Sequence, residues 1–196
     1  MCDVPIFYAT TEGQTRRIAE RFAAQIRQHG LDSRAIALAS DEATQVDWQA
    51  VRGACVAASL HRLRHQPEAV LFARRYHREL SMVPSLFISV SLSAASRNPV
   101  EVRAAERLAA EFADATGWIP WRTAAIAGRL AYTQYNLLVR WMMRRIALKE
   151  GASGDTSRDH EYTNWADVVS LADRLAYQIR RREFYPETAG DQKKAG

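Results

Sequence analysis

The sequence is poor in cysteine, has no long apolar run and lacks the familiar nucleotide-binding glycine patterns, and each absence narrows what the chain can be. Two cysteines, Cys2 and Cys55, among 196 residues cannot make a disulfide framework, and their spacing offers no zinc site. They read as structural thiols of a reducing compartment. No uninterrupted stretch reaches the roughly 18 apolar residues that a bilayer-spanning helix needs. Met1-Cys2-Asp3 leads straight into a strand-like run rather than a basic segment followed by a long apolar one. The expectation is a cytoplasmic chain without leader or integral anchor. No Gly-Lys-Ser/Thr closes a Walker-type loop, and GxGxxG does not occur. Neither His61 nor His65 has cysteine or acidic neighbours at ligand spacing, so no metal is expected. A nucleophile elbow is absent too, although a Ser-His-Asp triad need not be local.

Positive charge is what the chain has in excess. Lys and Arg number 27 against 22 Asp and Glu, a formal charge of +5, and most of the cations are arginine. Guanidinium pairs bidentately with carboxylate or phosphate and stays charged when partly desolvated. Nucleic acid, an anionic membrane surface and an anionic small molecule are all compatible with this balance. The basic residues are spread as Arg16-Arg17, Arg74-Arg75, Arg144-Arg145 and Arg180 to Arg182, as solvated helix faces would be. With 47% hydrophobic residues the chain can bury one substantial core, and no composition shift asks for a second. The expected organisation is a single domain over residues 1–185 followed by a tail, 186–196, with almost no apolar content.

Short apolar runs alternate with longer helical patterns, which predicts an α/β sheet wound with crossover helices. Strands are expected at Val4 to Ala9, Ser33 to Ala39, Ala54 to Ser59, Pro84 to Leu92 and Thr123 to Gly128. The first helix carries Ile18, Phe22 and Ile26 on one stripe and stops at His29-Gly30. Pro67 opens a helix with Ala69, Phe72, Ala73, Tyr76 and Leu80 inward. Asn98-Pro99 caps another, with Val102, Ala105, Leu108, Ala109 and Phe112 inward. The last begins near Asn164 and turns Trp165, Val168, Ala172, Leu175 and Ile179 to the core. Five strands with intervening helices predict a three-layer, doubly wound parallel sheet, whose ligands bind beyond the carboxyl ends of the strands.

The loop after the first strand, Thr10-Thr11-Glu12-Gly13-Gln14-Thr15, offers hydroxyls, a glycine that allows close backbone approach and the free N–H groups of a helix start. Together these suit a monophosphate. On the residues alone, a capped strand-to-helix turn accounts for them equally well. About 35 residues separate Gly128 from Asn164, more than a strand-to-helix connection requires. Within them Gln134 to Lys149 reads as a helix with two apolar stripes at roughly 100° per residue. The broad stripe holds Tyr135, Leu138, Val139, Met142, Met143 and Ile146. The narrow one holds Leu137, Trp141 and Leu148, flanked by Arg140, Arg144, Arg145 and Lys149. Such a strip suits a membrane interface or a flat apolar ligand with two carboxylates, and also a helix with a partly buried second face.

The loop "TTEGQT", with "AASL" after strand three, "PSLFISVSL", "IAGRLAY" and "YTNWADV" in that order, resembles the menaquinone-dependent protoporphyrinogen IX dehydrogenase family, which is flavodoxin-like. The similarity runs from about Val4 to Gln178. It implies FMN as cofactor, protoporphyrinogen IX as substrate, and menaquinone or another quinone as acceptor, with the protein peripheral on the inner face of the cell membrane. By the same resemblance Thr10, Thr11, Glu12, Gly13, Gln14 and Thr15 form the phosphate loop. Ser59, Leu60 and His61 lie in the first flavin loop, and Ser91, Leu92, Ser93 and Ala94 in the second. Arg62, Arg64, Arg140, Trp141, Arg144 and Arg145 are candidates for contact with substrate or membrane. Where the family's first flavin loop tends to carry Tyr-Gly, this chain has Arg62-Leu63, and its second loop is shorter and less basic.

The cluster His61, Arg62, Arg64 and His65 reads either as cations that stabilise reduced flavin or pair a substrate carboxylate, or as a solvated basic loop. His160-Glu161 is a weak acid/base dyad without a third group. No catalytic side chain is assigned, because a flavin carries the redox chemistry itself. The leading expectation is FMN-dependent oxidation of protoporphyrinogen IX for haem synthesis. Two others stand beside it: an electron carrier or quinone reductase that never handles porphyrin, and a binding module for anionic ligands without flavin. Nucleic acid is not expected as a partner, and a homo-oligomer is possible.

Overall fold

The computed structural model of the chain describes residues 2–61, 63–130 and 160–185. In chain order the elements are β1 (Val4–Ala9), α1 (Gln14–Gln28), β2 (Ser33–Ala37), β3 (Ala54–His61), β4 (Arg64–His65), α2 (Pro67–Arg75), α3 (His77–Met82), β5 (Ser85–Ser91), α4 (Pro99–Thr116), β6 (Arg122–Ala127), β7 (Arg129–Leu130), β8 (His160–Glu161) and α5 (Trp165–Phe184). Single 3-10 turns occur at Asp41–Thr44 and Ser93–Ala95.

The main sheet runs β2-β1-β3-β5-β6, all parallel, in the registers Val4↔Ser33, Ile6↔Cys55, Ala54↔Ser85 and Leu86↔Arg122. The strand order reverses direction at β1, and at that switch point the loops after β1 and β3 diverge to opposite faces. Parallel strands are covered on both sides by their crossover helices, so both faces of each strand are apolar. On one face Val4, Ile6, Cys55, Ala57, Leu86 and Ile88 meet α1 and α5. On the other, Phe7, Val56, Phe87 and their neighbours meet α2 and α4.

Local signals set the helix ends. Ile18, Phe22 and Ile26 are fully buried, and α1 stops where Gly30 takes the left-handed conformation at φ 71°. Asn98 Oδ1 accepts from the backbone N–H of Val100 at 3.0 Å, with Pro99 in the first turn. Asn164 does the same for Ala166 at 3.1 Å.

The helix expected from Pro67 through Leu80 is in fact two helices. Tyr76, at φ −111° and ψ 22°, separates α2 from α3. Its ring packs against Phe72 at 4.9 Å and Trp48 at 5.3 Å between centroids. His77 Nδ1 lies 2.9 Å from the Arg74 carbonyl and satisfies an acceptor freed by the break. Other boundaries differ by a residue or two: β2 ends at Ala37, and β3 continues to His61 because it pairs with β4. Val102, Leu108 and Trp165 are only half-buried, whereas Ala113, Leu171 and Ala176 join the core.

Candidate functional site

Three loops meet the carboxyl edge of the sheet, after Ala9, after β3 and after Ser91. In the first, Thr10 Oγ1 accepts from the Gly13 N–H at 3.0 Å and folds the loop back on itself. Gly13 sits at φ 82°, and a Cβ built there meets nothing within 4 Å, so open space adjoins the backbone. The first helical bond runs from Arg17 N–H to the Gly13 carbonyl at 3.2 Å. The N–H groups of Gln14, Thr15 and Arg16 therefore have no acceptor within the helix. The first turn of α1 contains no acidic residue, leaving the positive end of the helix for an external anion. The Thr15 hydroxyl is buried without any hydrogen-bond partner. An orphaned hydroxyl beside unpaired amides is the donor set that a phosphate monoester would satisfy.

Gln14 and Glu12 play parts that the sequence did not show. The Gln14 side chain is buried and turned away from the loop: its Nε2 donates to Thr163 Oγ1 at 2.8 Å and to Glu161 Oε1 at 3.2 Å. Its Oε1 accepts from Arg17 Nη1 at 3.1 Å, and Arg17 Nη1 also reaches Glu161 Oε2 at 2.9 Å. Thr163 Oγ1 continues the chain to the Ala127 carbonyl at 2.7 Å, and Arg129 Nη2 donates to the Glu12 carbonyl at 2.9 Å. Gln14 thus has only its backbone N–H left to offer an anion. Glu161 is engaged by both Arg17 and Gln14. The contacts of Gln14 with Glu161 and Thr163, of Arg17 with Glu161 and of Arg129 with Glu12 join residues more than 100 positions apart, and no local periodicity could reveal them; the one trace is a glutamine in the first turn of a helix, where a solvated residue would serve.

The second loop is a hairpin. β3 and β4 pair antiparallel with Leu60↔His65 and His61↔Arg64, and Leu63 lies in the turn between them. His65 is folded inward: a ring nitrogen lies 2.8 Å from Ser89 Oγ of β5, and the imidazole meets Phe87 and Phe112 edge-on. Burial pushes its pKa down to about 4. The imidazole is therefore neutral near pH 7, and the sequence-based picture of His65 as a cation facing flavin or as part of a solvated loop is corrected. Gln66 Nε2 bonds Ser59 Oγ and lies 3.4 Å from Thr11 Oγ1, tying the foot of the hairpin to the first loop. His61 and Arg64 remain exposed at its tip, with Leu60 half-buried below.

In the third loop Ser91 is buried, and its Oγ accepts from the Ala94 N–H at 3.3 Å. Leu92, Ser93 and Ala94 are half-buried beside it. The Ser91 carbonyl takes the Gly128 N–H at 3.0 Å, which holds this loop against the end of β6. Thr10, Gly13, Thr15, Ser59 and Ser91 are accordingly on one edge of the molecule. Of the remaining candidates, Arg62, Arg140, Trp141, Arg144 and Arg145, with the helix Gln134 to Lys149 and the tail from 186, lie outside the described residues. What is described is the root of that long connection: β7 and β8 pair antiparallel, with Leu130 opposite His160.

A cavity of about 360 Å³ runs along the free edge of β6 between α4 and α5, with Glu106, Arg122, Asp167 and Arg174 at its rim. None of the three loops contributes to it except through the neighbouring strand. Among the described residues no helix is long and apolar enough to cross a membrane, and no cluster of His, Cys, Asp or Glu could hold a metal. Cys55 is fully buried and burial pushes its thiol up, in keeping with a structural role.

A five-stranded parallel sheet in this order, with an anion cradle at the first strand-to-helix turn and two further loops beside it, defines a flavodoxin-like protein whose residues fit FMN. The flavodoxin domain model matches residues 5–158. The chain is 30% identical over 174 residues to protoporphyrinogen IX dehydrogenase (quinone) of Escherichia coli K12, covering 88% of this chain and 93% of that one. It is 27% identical over 175 residues to the Leishmania major protein of the same name, covering 87% and 73%. The flavodoxin of Streptococcus pneumoniae TIGR4 superposes with a TM-score of 0.53 at 13% identity, over 91% of this chain and 98% of that one. The chain belongs to the flavodoxin domain family and, within it, to the protoporphyrinogen IX dehydrogenase (quinone) family.

Proposed function

We propose that the chain oxidises protoporphyrinogen IX to protoporphyrin IX with FMN as its cofactor and a membrane quinone as final acceptor. The observation that carries the cofactor part is the buried, unpartnered Thr15 hydroxyl beside the open amides of the α1 start. The substrate and acceptor come from the relatives that share nearly the whole chain. When bound, FMN supplies reversible two-electron chemistry, and repeated cycles aromatise the macrocycle.

The protein's own share is binding and orientation. Thr10, Gly13 and Thr15, with the backbone N–H of Gln14, hold the phosphate, and Thr11 and Glu12 complete the loop. Ser59, Leu60 and His61 on one side and Ser91 to Ala94 on the other flank the ring system. Exposed Arg64 and His61 are placed to meet propionates, with Arg62, Arg140, Trp141, Arg144 and Arg145 as further contacts to substrate or anionic lipid. The described helices would let the domain lie in the cytoplasm, peripheral on the inner membrane face, where a lipid-soluble quinone is reached.

The test is a visible spectrum of the purified protein after loading with excess FMN and removing the unbound fraction, followed by anaerobic addition of protoporphyrinogen IX. Retained flavin absorbance that bleaches with substrate is expected. Flavin that stays oxidised while the protein still reduces quinones from another donor would replace this reading with that of a carrier or quinone reductase.

A further inference from the structure

Among the described residues, Leu63 is the one non-glycine residue with positive φ, at 63°. A branched apolar side chain is disfavoured there, and glycine or asparagine is the residue that a hairpin turn of this kind selects. Strain of this sort persists when packing offsets it or when the residue is held for function. Packing does not offset it here, because the Leu63 side chain is 71% exposed.

The turn is nevertheless held firmly from below. His65 is pinned to Ser89 and wedged against Phe87 and Phe112, and Gln66 binds Ser59. The hairpin therefore presents Leu63 from a fixed base at the carboxyl edge of the sheet, between the exposed side chains of Arg64 and, across the pair, His61. An apolar tip with a guanidinium and an imidazole N–H donor beside it complements a broad apolar ring carrying carboxylates at its rim.

We propose that Leu63 is a specificity-determining contact for the apolar face of the tetrapyrrole, with Arg64 and His61 directed to its carboxylates. This assignment rests on the function proposed above and adds the residue that recognises the ring. Glycine at this position would relax the turn and remove the contact.

The experiment compares the FMN-loaded wild type with Leu63→Gly, Leu63→Asn and Leu63→Met. Four quantities are read: thermal midpoint, FMN Kd, kcat and KM for protoporphyrinogen IX, and Kd for protoporphyrin IX by quenching of intrinsic fluorescence. Gly and Asn should raise the midpoint by about 2–4 °C as strain is relieved. They should raise both KM and the porphyrin Kd about tenfold, the loss of one apolar contact, with kcat and FMN Kd held within about twofold. Met should keep the wild-type KM and porphyrin Kd. Unchanged KM and porphyrin Kd in the Gly and Asn variants would overturn the assignment and leave the proposed function intact. A tenfold rise in FMN Kd instead would make Leu63 a cofactor contact and overturn it as well. A wild type that holds FMN but neither binds nor oxidises the tetrapyrrole would remove the proposed function, and this inference with it.

Discussion

The two faces of the sheet are built from different materials. Toward α1 and α5 the core is aliphatic: Ile6, Ile18, Ile88, Leu175 and Ile179, with Phe22 the one aromatic ring among its fully buried members. Toward α2 and α4 it is aromatic, with Phe7, Phe72, Phe87, Phe112 and Trp118, and Trp48 and Tyr76 at its margin. Phe87 and Phe112 stack at 3.9 Å between centroids with 4° between planes, and Trp118 meets both edge-on. β5 makes room for this. On the aromatic side it alternates Ser85, Phe87, Ser89 and Ser91, and two of the small hydroxyls hydrogen-bond the polar edges of larger rings. Trp118 Nε1 donates to Ser85 Oγ at 3.0 Å, and His65 bonds Ser89. Aliphatic side chains fill space by interdigitation, whereas rings fix direction and need partners for their N–H groups. The regular helices α1 and α5 lie on the aliphatic face, and the broken α2–α3 pair and the β3–β4 hairpin on the aromatic one.

Neighbouring positions on β5 allow the contrast to be broken one face at a time. Phe87→Ala removes a fully buried ring from a stack whose members cannot easily close the hole, and about 3–5 kcal/mol should be lost in denaturant unfolding. A loss below that of the aliphatic change described next but one would show that the stack relaxes freely. Gly53→Ala probes the aliphatic face from the other direction, since a Cβ there would collide with Ile179 and crowd the Pro84 carbonyl at 3.1 Å. About 1–3 kcal/mol of destabilisation is expected, with the expressed fold unchanged by circular dichroism. Ile88→Val, one residue along from Phe87 and facing α1, should cost only about 0.5–1.5 kcal/mol by the same denaturant measurement.

His65 carries an effect that depends on pH. Its folded pKa, about 4, lies below the ordinary value of 6.5, so the unfolded chain takes up a proton that the folded chain refuses. Its contribution is fully present above pH 6.5 and declines as pH falls toward 4, where both states are protonated. His65→Gln should flatten the pH dependence of the unfolding midpoint within that window. An unaltered slope would mean that the imidazole does not titrate differently on folding.

The aliphatic face was largely legible in the sequence for the same reason that it is regular. Ile18, Phe22 and Ile26 recur at helical spacing, and Asn164 and Gly30 mark helix ends by local chemistry that acts over a few residues. The aromatic face was less so. Tyr76 continues the apolar spacing of α2, and its partner Trp48 is brought in by another part of the chain. The strand-to-helix turn from Thr10 to Thr15 was readable because its hydroxyls, glycine and helix start are contiguous. The role of Gln14 was not, because its partners Glu161 and Thr163 arrive from the far side of the long connection. His65 was misread as a solvated cation, since nothing near it in sequence announces Ser89, Phe87 and Phe112.

The pairing of β7 with β8 has a consequence for how such a domain can change over time. Leu130 and His160 are partners on one short ribbon, so the two described residues that flank the long connection lie side by side. The entropy of closing a connection between such points grows only with the logarithm of its length. Segments of quite different size can therefore be exchanged between those anchors at little thermodynamic cost, and a descendant could acquire a new accessory element there while leaving the sheet and its first loop as they are.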